Sequence, residues 1–332
     1  MMTRNAMRAA ACLLGSVAAW SAHPALAQAP QPAGFPSRAI RIIVPIGQGG
    51  GFDFLGRTVA QKLSERSGQS VFVENRPGAG SLVGTEAAAK AAPDGYTLLV
   101  GGLTNMAANV GLYKSLPYDP LADFRPLAMA VSYSFCLVAR KDLPQANLRE
   151  LVDHARANPG RLTYASAGTG TGQHVAAAVL AHLTQANLSH VPYKGAPPAY
   201  QDMLAGRIDL FFDNCGVAKG FIDNGQVRLL AVSGAERSAA MPGAPTVTET
   251  GVAKMEMESW IGFFIQARTP QPVTDWLRSE MAAVLTSPDV VQRLERGGGR
   301  MMRLSMPETE AFLRAEVAKW RVLIPQAGVN AE

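Results

Sequence analysis

The feature that most constrains this chain is a pattern met twice: an apolar strand-like run, a long glycine-rich turn, then a segment with helical spacing. The first instance is Ile40-Arg41-Ile42-Ile43-Val44, followed by Pro45-Ile46-Gly47-Gln48-Gly49-Gly50-Gly51-Phe52-Asp53. The second is Leu162-Thr163-Tyr164-Ala165, followed by Ser166-Ala167-Gly168-Thr169-Gly170-Thr171-Gly172-Gln173-His174. Such a bend exposes main-chain N–H groups and aims the positive end of the helix dipole outward, which favours an anion. Strands alternating with helices predict α/β construction. Two such units in 332 residues predict two halves, each with its own turn.

The remaining pattern fits that plan. Asp53 is expected to cap a helix carrying Leu55, Val59 and Leu63 and ending at Gly68. Strands are predicted at 71–74, 97–100, 190–192, 208–212 and 228–232. Helices are predicted at 85–92, at 173–185 and from a capping box of Asn147 and Glu150. The last third reads as helical, at 274–286, at 288–296 and from a second capping box of Ser305 and Glu308. Thr104 and Asn105 follow the 97–100 strand and stand where α/β sheets hold ligands. Asp213, at the end of its strand, is a candidate acceptor for an amine or amide, or a structural residue.

The N-terminus has Arg4 and Arg8, an apolar stretch from Ala9 to Trp20, and Ala25-Leu26-Ala27 before Gln28. These are the three parts of a secretory signal peptide, with cleavage expected near Ala27 and residues 1–27 removed. The apolar part is too short to span a membrane. Cys136 and Cys215 lie in apolar, strand-like surroundings, and two buried free thiols are expected there. A net charge of +5 without a dense basic run argues against nucleic acid as a partner.

Other chemistries fit poorly. Neither turn completes G-x-G-x-x-G, because Phe52 and Gln173 stand at the last position, and no G-K-[ST] follows. A hydrolase would use Ser166 with His174 or His190, but Tyr164 replaces the first glycine of G-x-S-x-G and no acid is placed to complete a triad. His174 and His182 are too far apart on one helix to share a metal. No metal and no cofactor are expected. A binder of small anions is the reading that remains, with a hydrolase and an inorganic-anion binder as alternatives.

At these residues the chain resembles the Bug-type (TctC-like) extracytoplasmic binding proteins of tripartite tricarboxylate transporters. The similarity runs through Ile43-Val44-Pro45 and the first turn, Val73-Glu74-Asn75-Arg76-Pro77-Gly78-Ala79-Gly80 and Pro93-Asp94-Gly95-Tyr96-Thr97-Leu98-Leu99. It continues through Tyr118-Asp119-Pro120, the second turn with His174, Val191-Pro192-Tyr193-Lys194-Gly195 and Pro245-Thr246-Val247-Thr248-Glu249. The resemblance implies a periplasmic protein of the two-lobe Venus-flytrap fold, each lobe a mixed sheet flanked by helices. One lobe would comprise residues 28–130 plus 233–332, and the other residues 131–232. It implies a monomer that binds a small carboxylate between the lobes and delivers it to membrane permease subunits, without catalysis.

The ligand-binding residues expected on these grounds are Gln48, Gly49, Gly50, Gly51 and Phe52 from the first turn. Thr104, Asn105 and Asp213 stand at strand ends. Ser166, Ala167, Gly168, Thr169, Thr171 and His174 come from the second turn. N–H groups of Gly49, Gly50, Gly51, Ala167, Gly168 and Thr169 would donate to the carboxylate. Phe52 either stacks on the ligand or turns into the core. His174 braces its turn or touches the ligand.

Overall fold

The computed structural model describes residues 30–329, so the export-signal reading of residues 1–27 lies outside the described residues. In chain order the elements begin β1 (Ile40–Val44), α1 (Gly51–Ser67), β2 (Val71–Asn75), α2 (Leu82–Ala89), β3 (Thr97–Gly102), α3 (Asn109–Leu112), β4 (Phe124–Arg140) and α4 (Leu148–Ala157). They continue with β5 (Leu162–Ser166), α5 (Gly172–Thr184), β6 (Leu188–Pro192), α6 (Ala196–Leu204), β7 (Leu210–Asn214), α7 (Cys215–Asp223) and β8 (Val227–Val232). Last come β9 (Glu258–Gln266), α8 (Gln271–Thr286), α9 (Pro288–Arg296), β10 (Arg300–Met301) and α10 (Met306–Gln326). Among the described residues, no helix is long and apolar enough to cross a membrane.

The strands join in the order β2-β1-β3-β9-β4-β7-β5-β6, with β8 and β10 also paired to β4. β1 is parallel to β2 and β3, and β5 is parallel to β6 and β7, as helical crossovers require. β9 is antiparallel to both β3 and β4, which makes the first half a mixed sheet. β4 is the shared member. It pairs with β9 from Phe124 to Ser134, then with β7 from Phe135 to Ala139, and also with β8 from Cys136 to Arg140. The sequence reading marks only the surroundings of Cys136 as strand-like in this stretch and treats the last third as helical. β4 is in fact 17 residues long and β9 lies within that last third. Both strands are almost wholly buried, so their apolar runs carry no alternation to announce them.

Each half has its own apolar layer. Ile40, Ile42, Val44, Leu55 and Val59 pack with Phe263, Leu277 and Met281 in the first, and Val138, Tyr200, Met203 and Phe211 pack together in the second. A third cluster runs from Leu99 and Trp320 through Trp260 to Leu137, Val175 and Phe212, so the halves share a core where β4 passes between them.

Cys136 and Cys215 are bridged, which corrects the expectation of free thiols. The register of β4 on β7 sets Cys136 opposite Asp213, and the chain turns into α7 at Cys215, bringing the two Cα atoms to 4.9 Å. Their apolar surroundings are as expected, but proximity depends on strand pairing, which composition does not reveal.

Candidate ligand-binding site

Both turns lie at the C-terminal ends of parallel strands, where α/β sheets place ligands. The first departs from expectation at its helix start. α1 begins at Gly51 with Gly50 as its N-cap, so Asp53 stands inside the first helical turn rather than capping it. The Asp53 carboxylate reaches back and accepts the N–H of Gly49 at 3.0 Å, along with Arg57 Nε at 3.0 Å and Asn75 Nδ2 at 2.9 Å. Burial pushes this carboxyl up, but the hydrogen bonds from Arg57, Gly49 and Asn75 outweigh it and hold Asp53 below the usual carboxylate range. Gly49 adopts φ +84°, a backbone that favours glycine, which lets its N–H turn inward to Asp53.

The Gly49 N–H is therefore spent inside the turn, contrary to its expected role as a ligand donor. Among the described residues, the N–H groups of Gly50 and Gly51 have no hydrogen-bond partner. They belong to the orphan donors that every helix N-terminus leaves. Gln48 is exposed at the tip. Phe52 is turned inward, 9% exposed, in the apolar layer with Leu55 and Val59. Its ring lies against Gly102, where a Cβ would stand 2.6 Å from Phe52 Cζ. Of the two roles considered for Phe52, the core role is the observed one.

Asn105 is likewise a strut. It is fully buried, its Oδ1 accepts the Gly102 N–H at 2.9 Å, and its Nδ2 donates to Thr85 Oγ1 at 3.0 Å. Its main-chain carbonyl takes the Tyr118 hydroxyl at 2.6 Å, and the side chain has no exposed surface to offer a ligand. Thr104 beside it is half-buried at the end of β3.

The second turn is braced by side chains from beneath. Ser166 Oγ is fully buried, accepts the Gly168 N–H at 3.2 Å and lies 2.7 Å from His190 Nε2. His174 Nδ1 accepts the Gly170 N–H at 3.1 Å, which is the bracing role. The Thr171 hydroxyl donates to the Gly168 carbonyl at 2.7 Å. Gly168, at φ +136°, folds the turn back so that its own N–H meets Ser166 and its carbonyl meets Thr171. The Gly168 N–H is thus withdrawn from the expected donor set. Among the described residues, those of Ala167 and Thr169 stay without a partner, as do those of Gly172 and Gln173 opening α5.

The histidines below carry no charge to the site. His174 and His190 stack at 3.9 Å and 6°, with Tyr164 on His190 at 4.8 Å. Burial, helped by His190, pulls His174 down to about 4, and burial lowers His190 too, so both are neutral at neutral pH. Ser166 and His190 are in contact as the serine and histidine of a hydrolytic triad would be. Among the described hydrogen bonds no carboxylate reaches His190, and Ser166 has no exposed surface.

Asp213 closes the floor at the end of β7. It is fully buried, and its Oδ1 accepts the Asn214 N–H at 2.9 Å and Gln173 Nε2 at 3.4 Å. Its Oδ2 has no partner, and burial raises the carboxyl to about 7. Gln173 is the residue that sequence reasoning left out, and His190, considered there only as a hydrolase base, also stands beneath the second turn. His190 lies in the strand beside β5, and only the pairing of Ser166 with Pro192 brings it under the turn.

The two helix starts sit on the crossing strands. Gly51 lies over Ile261 of β9 and Gly172 over Phe135 of β4, with hypothetical Cβ distances of 3.5 and 2.7 Å. Gly170 also meets Leu112 of the first half, at 3.4 Å. Cavities of about 430 and 280 Å³ lie elsewhere, lined by no residue of either turn.

Two α/β halves on one shared strand, each presenting unpaired main-chain donors at a helix start, define the class of two-lobe solute-binding proteins. The family model described as "Tripartite tricarboxylate transporter family receptor" (TctC) matches residues 55–329, and the chain belongs to that family. A UPF0065 protein from Pseudomonas sp. is 36% identical over 90% of this chain and 88% of its own. Among solved structures, an R. palustris protein with adipate superposes with a TM-score of 0.81 at 31% identity, covering 89% of this chain and 99% of that one. MatC from Rhodopseudomonas palustris with bound malate gives 0.79 at 29% identity, covering 87% and 100%.

Proposed function

We propose that this protein is a periplasmic receptor, exported with loss of residues 1–27, which captures a small carboxylate and delivers it unaltered to a membrane permease. The observation that carries this reading is the pair of helix starts with unpartnered N–H groups: Gly50 and Gly51 in one half, Ala167 and Thr169 in the other. The lobes would be residues 28–130 plus 233–332 and residues 131–232, with the ligand held between them and the protein acting as a monomer. The relatives solved with adipate and with malate support a carboxylate as ligand.

Hydrogen bonds to a charged acceptor contribute roughly 1.5–3 kcal/mol each, so four suffice for about micromolar binding after ordering costs. No cation is needed, because helix dipoles and main-chain amides supply the positive potential. The neutral His174 and His190 hold the second turn in shape. Gln173, tethered to Asp213, stands in the first turn of α5, where its amide can meet a second polar group on the ligand.

Calorimetry against adipate, malate, amino acids and phosphate tests the reading. Saturable binding of at least one carboxylate supports it, and preference for phosphate over every carboxylate overturns it. The Ser166–His190 hydrogen bond favours a second reading, a serine hydrolase. Ester turnover that Ser166→Ala abolishes would establish that reading instead.

A further inference from the structure

The cavity of about 280 Å³ lies over the crossing strands. Its floor is a single row of residues: Ser132 on β4, opposed by Trp260 on β9 and by Arg300 on β10. Directly opposed residues share a face of the sheet, so the small serine forms a notch between an indole and a guanidinium. Ser132 is 2% exposed, and its Oγ has no hydrogen-bond partner. A buried hydroxyl without a partner is costly, and here it belongs to a residue of the cavity lining. Trp260 and Phe312, edge to face at 5.3 Å, form an apolar wall with Met257 and Met302.

The charges around the cavity do not balance. Arg300 is held by Glu258 at 2.6 Å, and Glu258 also takes the Ser134 hydroxyl at 3.1 Å. Lys319 is held by Glu316 at 3.3 Å, while Glu316 accepts the indole N–H groups of Trp260 and Trp320 at 2.8 and 2.9 Å. Both cations lining the cavity are therefore matched. Glu236 and Glu256, exposed at its rim, have no ion pair among the described residues. The surplus is negative.

We propose that this cavity is a second binding site, separate from the glycine-rich turns, for a small organic monocation: a primary ammonium on an apolar body. The rim carboxylates set the sign of charge admitted, Ser132 Oγ accepts an ammonium N–H, and the apolar body lies against Trp260 and Phe312. An ammonium near those rings gains further from their quadrupoles.

Benzylamine is the probe, titrated into the full protein with calorimetry and tryptophan fluorescence as readouts. Saturable binding is expected, undiminished by saturating adipate and absent for benzyl alcohol. The double variant Glu236→Gln/Glu256→Gln should weaken it about three- to tenfold, as befits two exposed charge contacts. Ser132→Leu, which fills the notch, should abolish it. If that variant fails to fold by circular dichroism, the Gln pair carries the test. Equal binding of benzyl alcohol, an affinity unchanged in the Gln pair, displacement by adipate, or no saturable binding of benzylamine would each overturn the proposal.

Discussion

The Asp53 carboxylate holds the N–H of Gly49 at 3.0 Å, so the first turn is shaped by an acid that stands where a bound anion would be repelled if the acid pointed outward. Arg57 and Asn75 complete the clamp and leave Asp53 internally neutralised. Removing it should loosen the turn. Asp53→Ala is expected to cost about 1–3 kcal/mol of stability by chemical denaturation, and to weaken carboxylate binding in calorimetry. Since the folded carboxyl titrates below its ordinary value of about 3.9, its contribution is present above that pH. It is lost as the pH falls through the lower folded value. Wild type, but not the variant, should show this loss.

The buried histidine pair predicts a pH dependence of its own. His174 titrates at about 4 in the folded protein, below its ordinary 6.5, so the unfolded chain binds the extra proton between those values. Stability should be unaffected by this group above pH 6.5 and should fall progressively towards pH 4, by roughly 2–3 kcal/mol. Denaturation midpoints measured between pH 7.5 and 4.5 check it, and His174→Gln should flatten the slope whatever its effect on absolute stability.

The Cys136–Cys215 bridge spans a sequence separation of 79 residues. Cross-linking a loop of that length stabilises by about 4–5 kcal/mol on the chain-entropy account. The Cys136→Ala/Cys215→Ala variant should therefore melt well below the wild type in differential scanning calorimetry. Because the bridge is buried, reductant should reach it only when the protein unfolds.

Ser166→Ala removes the acceptor of the Gly168 N–H and the partner of His190. An unmatched buried donor costs about 1–3 kcal/mol, so carboxylate affinity and melting temperature should both fall. Ser166→Thr, which keeps the hydroxyl, should recover part of each.

The sequence made the strand–turn–helix units, the two capping boxes and the second-turn bracing by His174 legible, because each depends on residues a few positions apart. Asn147 accepts the Glu150 N–H at 3.0 Å, and Ser305 and Glu308 cap each other reciprocally. What escaped depends on register. The disulfide, the place of His190 beneath the second turn and the burial of Asn105 all arise from strands or loops distant in sequence. β4 and β9 escaped for a different reason, since a strand buried on both faces has no polar alternate positions to mark its period. The donor assignments for Gly49 and Gly168 erred because counting amides in a turn does not show which of them the turn consumes.

The placement of β9 between β3 and β4 also governs assembly. β3 and β4 follow one another along the chain, yet the strand that fills the gap between them comes only after the whole second half. Until residues 258–266 are available, both neighbours present a naked edge, an invitation to pair with another molecule. A nascent chain of this design stays vulnerable until β9 has emerged, and a truncation just short of it would leave a sticky fragment rather than a smaller receptor.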